Sequence, residues 1–182
     1  RAKLPFYSYL VAVLCDWEIR ARCEGGQMVW PFNPELINPA SLDVVLGNFL
    51  MAESPTHKEL FRVDISKATK DDPYMLSPGS FCLAETRECF NLPDDISAQF
   101  VLKSSRARDG LNHLLAGWCD PGWHGSKLTL ELKNERRYHD IPLYPGLKIG
   151  QMVFHVMSNI PVHSYALTGN YNNHLTVMPS VV

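Results

Sequence analysis

The chain lacks the cysteine patterns and the strong charge that mark several protein classes. Its 182 residues include five cysteines, and no two of them form a Cys-x-x-Cys pair. An odd number of scattered cysteines favours free thiols in a reducing compartment over a disulfide framework. The formal net charge is −2, which argues against a general nucleic-acid partner, because such a protein needs a basic face. A small anionic ligand remains compatible, since a few local cations can bind it.

Long apolar runs, repeats and low-complexity tracts are also missing. The apolar run at residues 10–14 follows Arg1 and Lys3 and ends at Cys15, a pattern with a faint likeness to a lipoprotein signal. The run is too short to span a bilayer, and residues 15–19 read as the start of the fold. We therefore expect a cytoplasmic protein (in the host cytoplasm if the source is a virus) with no membrane partner.

Frequent turn residues favour a β architecture over a helical bundle. The 13 prolines and 11 glycines are spread along the chain, which indicates many short elements joined by turns. The length fits one domain, residues 1–182, with a core of its own. We predict an all-β, mostly antiparallel fold with one or two short helices. The expected elements are strands at residues 41–47, 80–86, 100–102, 127–133 and 149–157, a helix that Asp16 caps and that ends near Glu24, and an irregular surface segment at residues 51–73.

Residues 103–108 concentrate positive charge and hydroxyl groups. The segment Lys-Ser-Ser-Arg-Ala-Arg places three cations and two hydroxyls within six residues. At the end of a strand, hydroxyls, backbone N–H groups and planar guanidinium groups can bind phosphate oxygens. A solvated basic turn has the same composition, and the segment alone favours that interpretation.

Asp120 lies in a Gly/Pro turn between two tryptophans, Trp118 and Trp123. A rigidly held carboxylate beside flat apolar rings suits the binding of a sugar hydroxyl. An Asp-Pro-Gly turn with two core tryptophans is the alternative, and Asp-Pro-Gly is a common turn sequence.

Glu131 is in the middle of the predicted strand 127–133, where leucines on one face alternate with Thr129 and Glu131 on the other. Most glutamates in such a position face solvent. If this face lines a cleft, burial raises the pKa of the carboxyl group and suits it to proton transfer. The periodicity does not distinguish the two cases.

Taken together, five ordered segments resemble the dCTP deaminase family of the dCTP deaminase/dUTPase superfamily, over about residues 14–157. Any one match would be weak, but five in order and at nearly the family spacing are specific. The matching segments are residues 14–19 (opening helix), 37–48 (first long strand), 103–108 (phosphate-and-base segment), 116–134 (Asp-Pro-Gly turn followed by Leu-Glu) and 144–151 (penultimate motif).

The resemblance implies a distorted jelly-roll (β-clip) fold and a homotrimer with active sites shared between subunits. It implies hydrolytic deamination of dCTP to dUTP, a step in the supply of dTTP, without a metal-activated water. Glu131 would shuttle protons while water attacks C4 of cytosine, Ser104 would hold that water, and Arg108 would support Glu131 and the developing charge. Mg²⁺ would be carried by the triphosphate, and no zinc is expected.

The resemblance also implies the substrate contacts. Lys103 and Ser105 would contact phosphates and Asp120 the deoxyribose, and Asp43 would reach Mg²⁺ through a water molecule. The expected ligands are dCTP and dUTP, with dTTP a candidate inhibitor, as in many relatives. Further substrate-binding residues expected at the same site are Ala116, Gly117, Trp118, Trp123, Gln151 and Tyr171.

The base-pocket loop departs from the family pattern. The stretch between Arg108 and Ala116 is one residue shorter than usual, with Leu115 where the family has Thr. Its His113 matches a family His, although a single His is more often structural or solvated. Gly117 replaces the His of monofunctional bacterial deaminases and is more like bifunctional deaminase–dUTPases and dUTPases.

The two ends of the chain are expected to be an N-terminal extension, residues 1–13, and a C-terminal arm, residues 158–182. In the family this arm closes over the triphosphate with a Lys-Tyr-x-x-Gln pattern. Here Tyr171 is kept, but Asn170 stands in place of Lys. The chain ends soon afterwards, which weakens the expectation of closure.

Three other functions compete with dCTP deamination to dUTP. A dUTPase or a bifunctional enzyme giving dUMP would use Asp120 to activate water at the α-phosphorus, but dUTPases normally lack the strand glutamate that Glu131 provides. A regulatory nucleotide-binding homologue would keep the fold and lose catalysis. A zinc deaminase needs Pro-Cys-x-x-Cys after a His-x-Glu element. The chain has His57-Lys58-Glu59 without that second half, so we reject zinc chemistry.

Overall fold

The computed structural model describes residues 12–181, so the expected N-terminal extension lies almost wholly outside the described range. Strands dominate this range, as the sequence predicts, and three short α-helices accompany them. The helices are α1 Asp16–Cys23, α2 Ser104–Arg108 and α3 Tyr165–Thr168, with short 3-10 turns at Glu24–Gly26 and Pro34–Leu36. The strands are β1 Val29–Trp30, β2 Ile37–Asn38, β3 Ser41–Ser54, β4 His57–Asp64, β5 Tyr74–Leu76, β6 Phe81–Asn91, β7 Ile96–Leu102, β8 Leu111–Asn112, β9 Trp118–Cys119, β10 His124–Asn134, β11 Ile141–Leu143 and β12 Lys148–Val156.

Ten strands form one curled antiparallel sheet, and β5 and β11 form a separate pair. The sheet order is β8-β10-β6-β3-β12-β7-β9, with β1 beside β6 and both β2 and β4 beside β3. The first half of β3 pairs with β12, and its second half pairs with β4 and β6. The register between β3 and β6 shifts between Leu46 and Leu50, where β3 passes from one half of the sheet to the other. This arrangement agrees with the all-β, jelly-roll-like prediction.

Tight packing around Phe100 fixes the strands next to the candidate site. Phe100, on β7, is buried in the core. A Cβ atom at Gly117 would lie 2.6 Å from the carbonyl oxygen of Phe100, and one at Gly150 would overlap its ring. Both positions therefore need glycine, because any side chain would push the neighbouring strands apart.

The prediction that residues 51–73 form an irregular segment is wrong for the first half of that range. Strand β3 continues to Ser54, and β4 (His57–Asp64) folds back on it as a hairpin. Among the described strands, β4 pairs with β3 alone, and its side chains are mostly exposed. Charged residues are common on such edge strands, so the charge that suggested a loop belongs to a solvated strand.

The start of helix α1 also differs from the prediction, because Cys15, not Asp16, is the N-cap residue. The carboxylate of Glu18 accepts a hydrogen bond of 2.9 Å from the backbone N–H of Cys15. Asp16 is the first helical residue, where a negative charge is favoured by the helix dipole. The helix ends at Cys23, just before Gly25 adopts a φ of +78°.

Candidate functional site

A cavity of about 430 Å³ opens between strand β10, the turn after β9 and the C-terminal part of the chain. Strand β10 contributes Glu131 and Thr129, and the turn contributes Asp120. We call residues 174–181 the C-terminal tail, and its His174 forms part of a third wall. The other lining residues are Leu83, Ala116, Trp118, Cys119, Trp123, Lys127, Leu128, Tyr165, Tyr171, Met178, Pro179 and Ser180.

Glu131 faces this cavity because of its position in β10. Its neighbours Leu130 and Leu132 are buried in the core on the opposite face of the strand. Within the described part of the chain, the Oε2 atom of Glu131 is buried and has no hydrogen-bond partner. Burial raises the pKa of its carboxyl group above the usual value. Of the two interpretations of the sequence, the structure therefore supports the cleft over exposure to bulk solvent.

The turn at Asp120 separates the two tryptophans into different environments. Trp118 is 59% exposed, and its Nε1 donates a hydrogen bond of 3.0 Å to the Asp120 carboxylate. Trp123 is buried and stacks on Phe90 with 5.6 Å between ring centroids. Trp123 Nε1 donates to the carbonyl oxygen of Tyr171 at 2.9 Å. Both tryptophans line the cavity, but Trp123 is buried in the core, whereas Trp118 is exposed and holds the carboxylate.

The shortened loop before Ala116 has an unusual backbone. Leu114 and Leu115 have positive φ values of 55° and 61°, a left-handed conformation that costs energy for residues with a Cβ atom. Leu115 is 89% exposed. By contrast, His113 is buried edge-on against the ring of Phe100, with centroids 4.9 Å apart. Burial lowers the pKa of His113, which supports a structural role for this residue.

Lys103 and Asp43, both expected at the site, bind each other away from the cavity. The Nζ atom of Lys103 lies 2.7 and 2.8 Å from the two carboxylate oxygens of Asp43. Lys148 lies 3.3 Å from the same buried carboxylate, and Asn38 donates to it at 2.8 Å. Burial raises the pKa of Asp43, but these three donors together hold it below its usual range. Two ammonium groups and one amide thus surround this buried carboxyl group.

The remaining residues of the phosphate-and-base segment lie on helix α2, not on a strand end. Ser104, Ser105 and Arg108 are exposed on this helix. Gln151 sits opposite Asp43 across β3 and β12. Within one chain, six of the expected site residues line the cavity, namely Ala116, Trp118, Asp120, Trp123, Glu131 and Tyr171. Seven do not line it, namely Asp43, Lys103, Ser104, Ser105, Arg108, Gly117 and Gln151.

Several residues at the cavity were not anticipated from the sequence. His174 lines the cavity, and within the described residues its buried Nδ1 atom has no hydrogen-bond partner. Lys127 lies 2.6 Å from Glu85, a fully buried carboxylate on β6. Glu85 lies in a predicted strand, where a charged residue is expected to face solvent. His174 could have been identified by its position three residues after Tyr171, in the arm that the resemblance places over the nucleotide.

Neither a metal-ligand cluster nor a membrane-spanning helix is found within the described residues. Across residues 12–181 there is no group of three or more His, Cys, Asp or Glu side chains arranged to hold a metal ion. None of the helices in the same range is both long and apolar enough to cross a membrane. The five cysteines are all free thiols, as the sequence predicts.

The curled antiparallel sheet and its acid-containing cleft define an all-β protein with a cavity beside β10. The chain belongs to the dCTP deaminase-like family, whose model matches residues 13–157. A "dCTP deaminase, dUMP-forming" of Methanoregula boonei is 39% identical over 79% of this chain and 81% of its own length. An enzyme of the same name from Acidothermus cellulolyticus is 38% identical over 84% of each chain.

A solved structure is similar in fold. The 2'-deoxycytidine 5'-triphosphate deaminase of Agrobacterium tumefaciens matches with a TM-score of 0.65 and 24% identity over 81% of this chain. The match spans 48% of that solved chain, so this chain corresponds to about half of its length. The similarity confirms the fold class predicted from the sequence.

Proposed function

We propose that this chain deaminates dCTP by hydrolysis, with Glu131 as the proton-transfer group, and that the final product is dUMP. The observation that carries the proposal is the buried Oε2 atom of Glu131, which faces a cavity and has no hydrogen-bond partner among the residues that the structure describes. A buried carboxyl group with a free oxygen can take up and release a proton near neutral pH. The names of the relatives support dCTP as the substrate.

The proposed deamination needs one proton acceptor that later acts as a donor. Water attacks C4 of cytosine, and Glu131 accepts a proton from that water as the C4–O bond forms and passes it to N3, which takes up the electron pair of the C4=N3 bond. Glu131 then accepts the remaining hydroxyl proton and gives it to the amino group. The C4–N bond breaks, ammonia leaves and a C4 carbonyl remains. The raised pKa of Glu131 favours both directions of transfer, because its two protonation states are closer in energy near neutral pH.

The cavity walls support the other substrate contacts. Asp120 is held by Trp118 Nε1 at 3.0 Å, which leaves its second carboxylate oxygen for a deoxyribose hydroxyl. Ala116, Trp123 and Tyr171 line the same cavity and are proposed to surround the nucleoside. At about 430 Å³, the cavity falls within the range of small-molecule sites.

The expected partners of Glu131 must reach this cavity from another protomer. Ser104 and Arg108 are exposed on helix α2 and do not line the cavity of their own chain. We propose a homotrimer in which α2 of one protomer lies at the cavity of the next, with Ser104 holding the water and Arg108 supporting Glu131. A cyclic arrangement gives every site the same pair of contributors.

The same segment of the neighbouring protomer is proposed to bind the phosphates. Ser105 is exposed beside Ser104, and Lys103 precedes both at the start of α2. Gln151 lies on β12 and Gly117 directly precedes β9, and both are proposed to shape the phosphate side of this segment. Lys103 is already paired with Asp43, so phosphate binding would share its ammonium group between two anions.

Magnesium is proposed to accompany the triphosphate. Asp43 was expected to reach the ion through water, but two ammonium groups surround its buried carboxylate. This environment does not fit a cation site. Mg²⁺ would instead neutralise phosphate charge as the nucleotide binds.

The dUMP product distinguishes this proposal from simple deamination to dUTP. The relatives are named for dUMP formation, and Gly117 is more like bifunctional enzymes and dUTPases. In the second step Asp120, at the cavity mouth, would orient a water toward the α-phosphorus, releasing pyrophosphate. The names of the relatives, together with Gly117 and Asp120, favour dUMP over dUTP as the final product.

The test is to incubate the protein with dCTP and Mg²⁺ and to separate the products by anion-exchange chromatography. We expect ammonia, pyrophosphate and dUMP, with little dUTP accumulating. A parallel reaction with dUTP as the starting nucleotide measures the second step alone. Accumulation of dUTP would restrict the activity to deamination. Binding of dCTP without turnover of either nucleotide would contradict catalysis and support the regulatory alternative.

A further inference from the structure

One buried carboxylate joins the C-terminal tail to two strands. Glu85 is fully buried on β6. Its Oε2 atom accepts hydrogen bonds from the backbone N–H of Val177 at 2.9 Å and from the Thr176 hydroxyl at 3.1 Å. Its Oε1 atom accepts from Lys127 Nζ on β10 at 2.6 Å and from the backbone N–H of Asn48 on β3 at 3.3 Å. Both oxygens thus have hydrogen-bond donors, and within residues 12–181 the donors to Oε2 all come from the tail.

The surrounding backbone is shaped for this side chain. The register between β10 and β6 shifts between Lys127 and Thr129, a bulge of the kind that redirects a side chain. On the other side of Glu85, a Cβ atom at Gly47 would lie 2.6 Å from its Cγ atom and 2.8 Å from Oε1. Glycine at this position leaves the space through which the carboxylate reaches Asn48 and Lys127.

The docked tail is also a wall of the cavity that contains Glu131. The backbone N–H of Lys127 donates to the carbonyl oxygen of His174 at 2.9 Å, and that of Met178 donates to Thr129 Oγ1 at 3.3 Å. His174 and Met178 both line the cavity. Between them, the side chain of Val177 is buried. The tail is therefore attached on both sides of the point where Glu85 binds it.

We propose that Glu85 is a positioning residue that fixes the C-terminal tail as a standing wall of the cavity before any nucleotide binds. If the tail left, Oε2 of a fully buried carboxylate would lose both of its hydrogen-bond donors, which is costly for an ionised group. The docking needs no ligand, because every contact is made within the chain. The proposed docking of the tail does not depend on the proposed function. Only the identity of the nucleotide that would occupy the cavity depends on it.

The direct test is hydrogen–deuterium exchange of the ligand-free protein, followed in peptides covering the tail. In Glu85→Gln the amide can accept on one side only, so either Lys127 or Val177 faces an NH₂ group. We expect tail amides to exchange about tenfold faster than in the unsubstituted protein. Thr176→Val removes one hydrogen bond from within the tail itself, and we expect about a threefold increase.

Glu88→Gln is the matched control, because Glu88 is a second buried glutamate on β6. Its Oε2 atom accepts from the backbone N–H of Val45, and it makes no contact with the tail among the described residues. We expect its tail exchange to equal that of the unsubstituted protein. Equal tail exchange in Glu85→Gln and the unsubstituted protein would overturn the proposal. If Glu85→Gln fails to fold, Thr176→Val decides, and unchanged exchange in that variant overturns the proposal.

Steady-state turnover of dCTP supplies a second readout. A loosened wall weakens ground-state binding more than chemistry, so for Glu85→Gln we expect KM to rise about tenfold with kcat changed less than threefold. A loss of kcat of about tenfold with an unchanged KM would contradict a positioning role. Absence of turnover in the unsubstituted protein would refute the proposed function instead, while the exchange experiment would still test the docking.

Discussion

Lys103 and Asp43 form a bidentate contact in which one ammonium group lies 2.7 and 2.8 Å from the two oxygens of one carboxylate. Lys103 was expected to contact phosphates and Asp43 to reach Mg²⁺ through water. In the structure the two residues instead bind each other. Asp43 is 3% exposed and Lys103 about a third exposed. The pair therefore fixes the start of helix α2 relative to β3 and is expected to contribute to stability.

For this pair we predict that Lys103→Met lowers the free energy of unfolding by about 1–2 kcal/mol at pH 7, because Asp43 stays buried with one cation fewer. The double variant Lys103→Met with Asp43→Asn should recover part of that loss, giving a measurable coupling energy in urea denaturation. The pKa of Asp43 is lowered in the folded state, so the contribution is present above the unfolded pKa and lost as pH falls through the folded one. Purely additive single variants would contradict the coupling.

The strands could be predicted from the sequence to a useful degree, because alternation along a strand is a local property. Residues 41–47 and 127–133 lie in β3 and β10 as expected. The segment at residues 57–64 could not be recognised, since an exposed edge strand carries the same charges as a loop. The direction that Glu131 faces was open for a different reason. It depends on the C-terminal tail folding back across β10, a contact between distant parts of the chain.

The sequence predicted which residues form the candidate site but not which of them lie together in one chain. The family resemblance indicated Glu131 and Asp120, and in the structure both line the cavity. It also named Ser104 and Arg108, which lie on α2 outside that cavity. Glu85 was not anticipated, because nothing in its local sequence shows that a strand bulge and a chain terminus will bury it.

We predict that Glu131→Gln lowers kcat/KM for dCTP deamination by at least about a thousandfold, because an amide cannot accept the proton of the attacking water. The substitution keeps the size of the side chain, so assembly measured by gel filtration should not change. Thr129→Ser, on the same face of β10 and also lining the cavity, is the control and should retain most of the activity. Full activity in Glu131→Gln would refute the proposed mechanism.

The pH profile should report the raised pKa of Glu131. Proton abstraction needs the ionised carboxylate, so kcat/KM should fall as pH drops through a pKa above the 4.5 of an ordinary glutamate. The measurement is initial-rate ammonia release between about pH 4 and about pH 9, a range that extends below the ordinary glutamate pKa of 4.5. A profile that stays flat down to the pKa of an ordinary glutamate would contradict the assignment of Glu131 as the base.

Glu88 gives a prediction about stability that is independent of activity. Burial raises its pKa from 4.5 to about 7. Between these values the folded state binds more protons than the unfolded state, so stability falls as pH rises through this window. Glu88→Gln removes the ionisation and should gain up to about 3 kcal/mol at pH 8 relative to the unsubstituted protein, with little difference near pH 4.5. Urea denaturation of both proteins at the two pH values measures this difference in the free energy of unfolding. The same difference at both pH values would contradict the proposed link between the ionisation of Glu88 and stability.

The backbone at Leu115 predicts a stabilising substitution. Its φ of 61° is left-handed and its side chain is 89% exposed, so glycine would relieve strain and lose little burial. We expect Leu115→Gly to raise the free energy of unfolding by about 1 kcal/mol. Val162 is equally exposed, at 90%, and is not among the positive-φ residues. Val162→Gly is therefore the control and should be neutral or destabilising in thermal denaturation.

The proposed sharing of the site between protomers can be tested by mixing two inactive variants. Glu131→Gln lacks the proton carrier and Arg108→Ala lacks its support, so each homotrimer should be inactive. A trimer that contains both kinds of chain has one interface at which an intact Glu131 meets an intact Arg108. Random mixing at equal amounts should therefore restore about a quarter of the unsubstituted activity in the whole mixture, because about three quarters of the trimers are mixed and each has one good site of three. The purified mixed trimers alone should show about a third of the unsubstituted activity. The two chains can be co-expressed with different affinity tags and purified through both, with each variant alone as the control. If doubly tagged trimers stay as inactive as the single variants, Arg108 does not act across the interface, since a site confined to one protomer cannot be rebuilt by mixing.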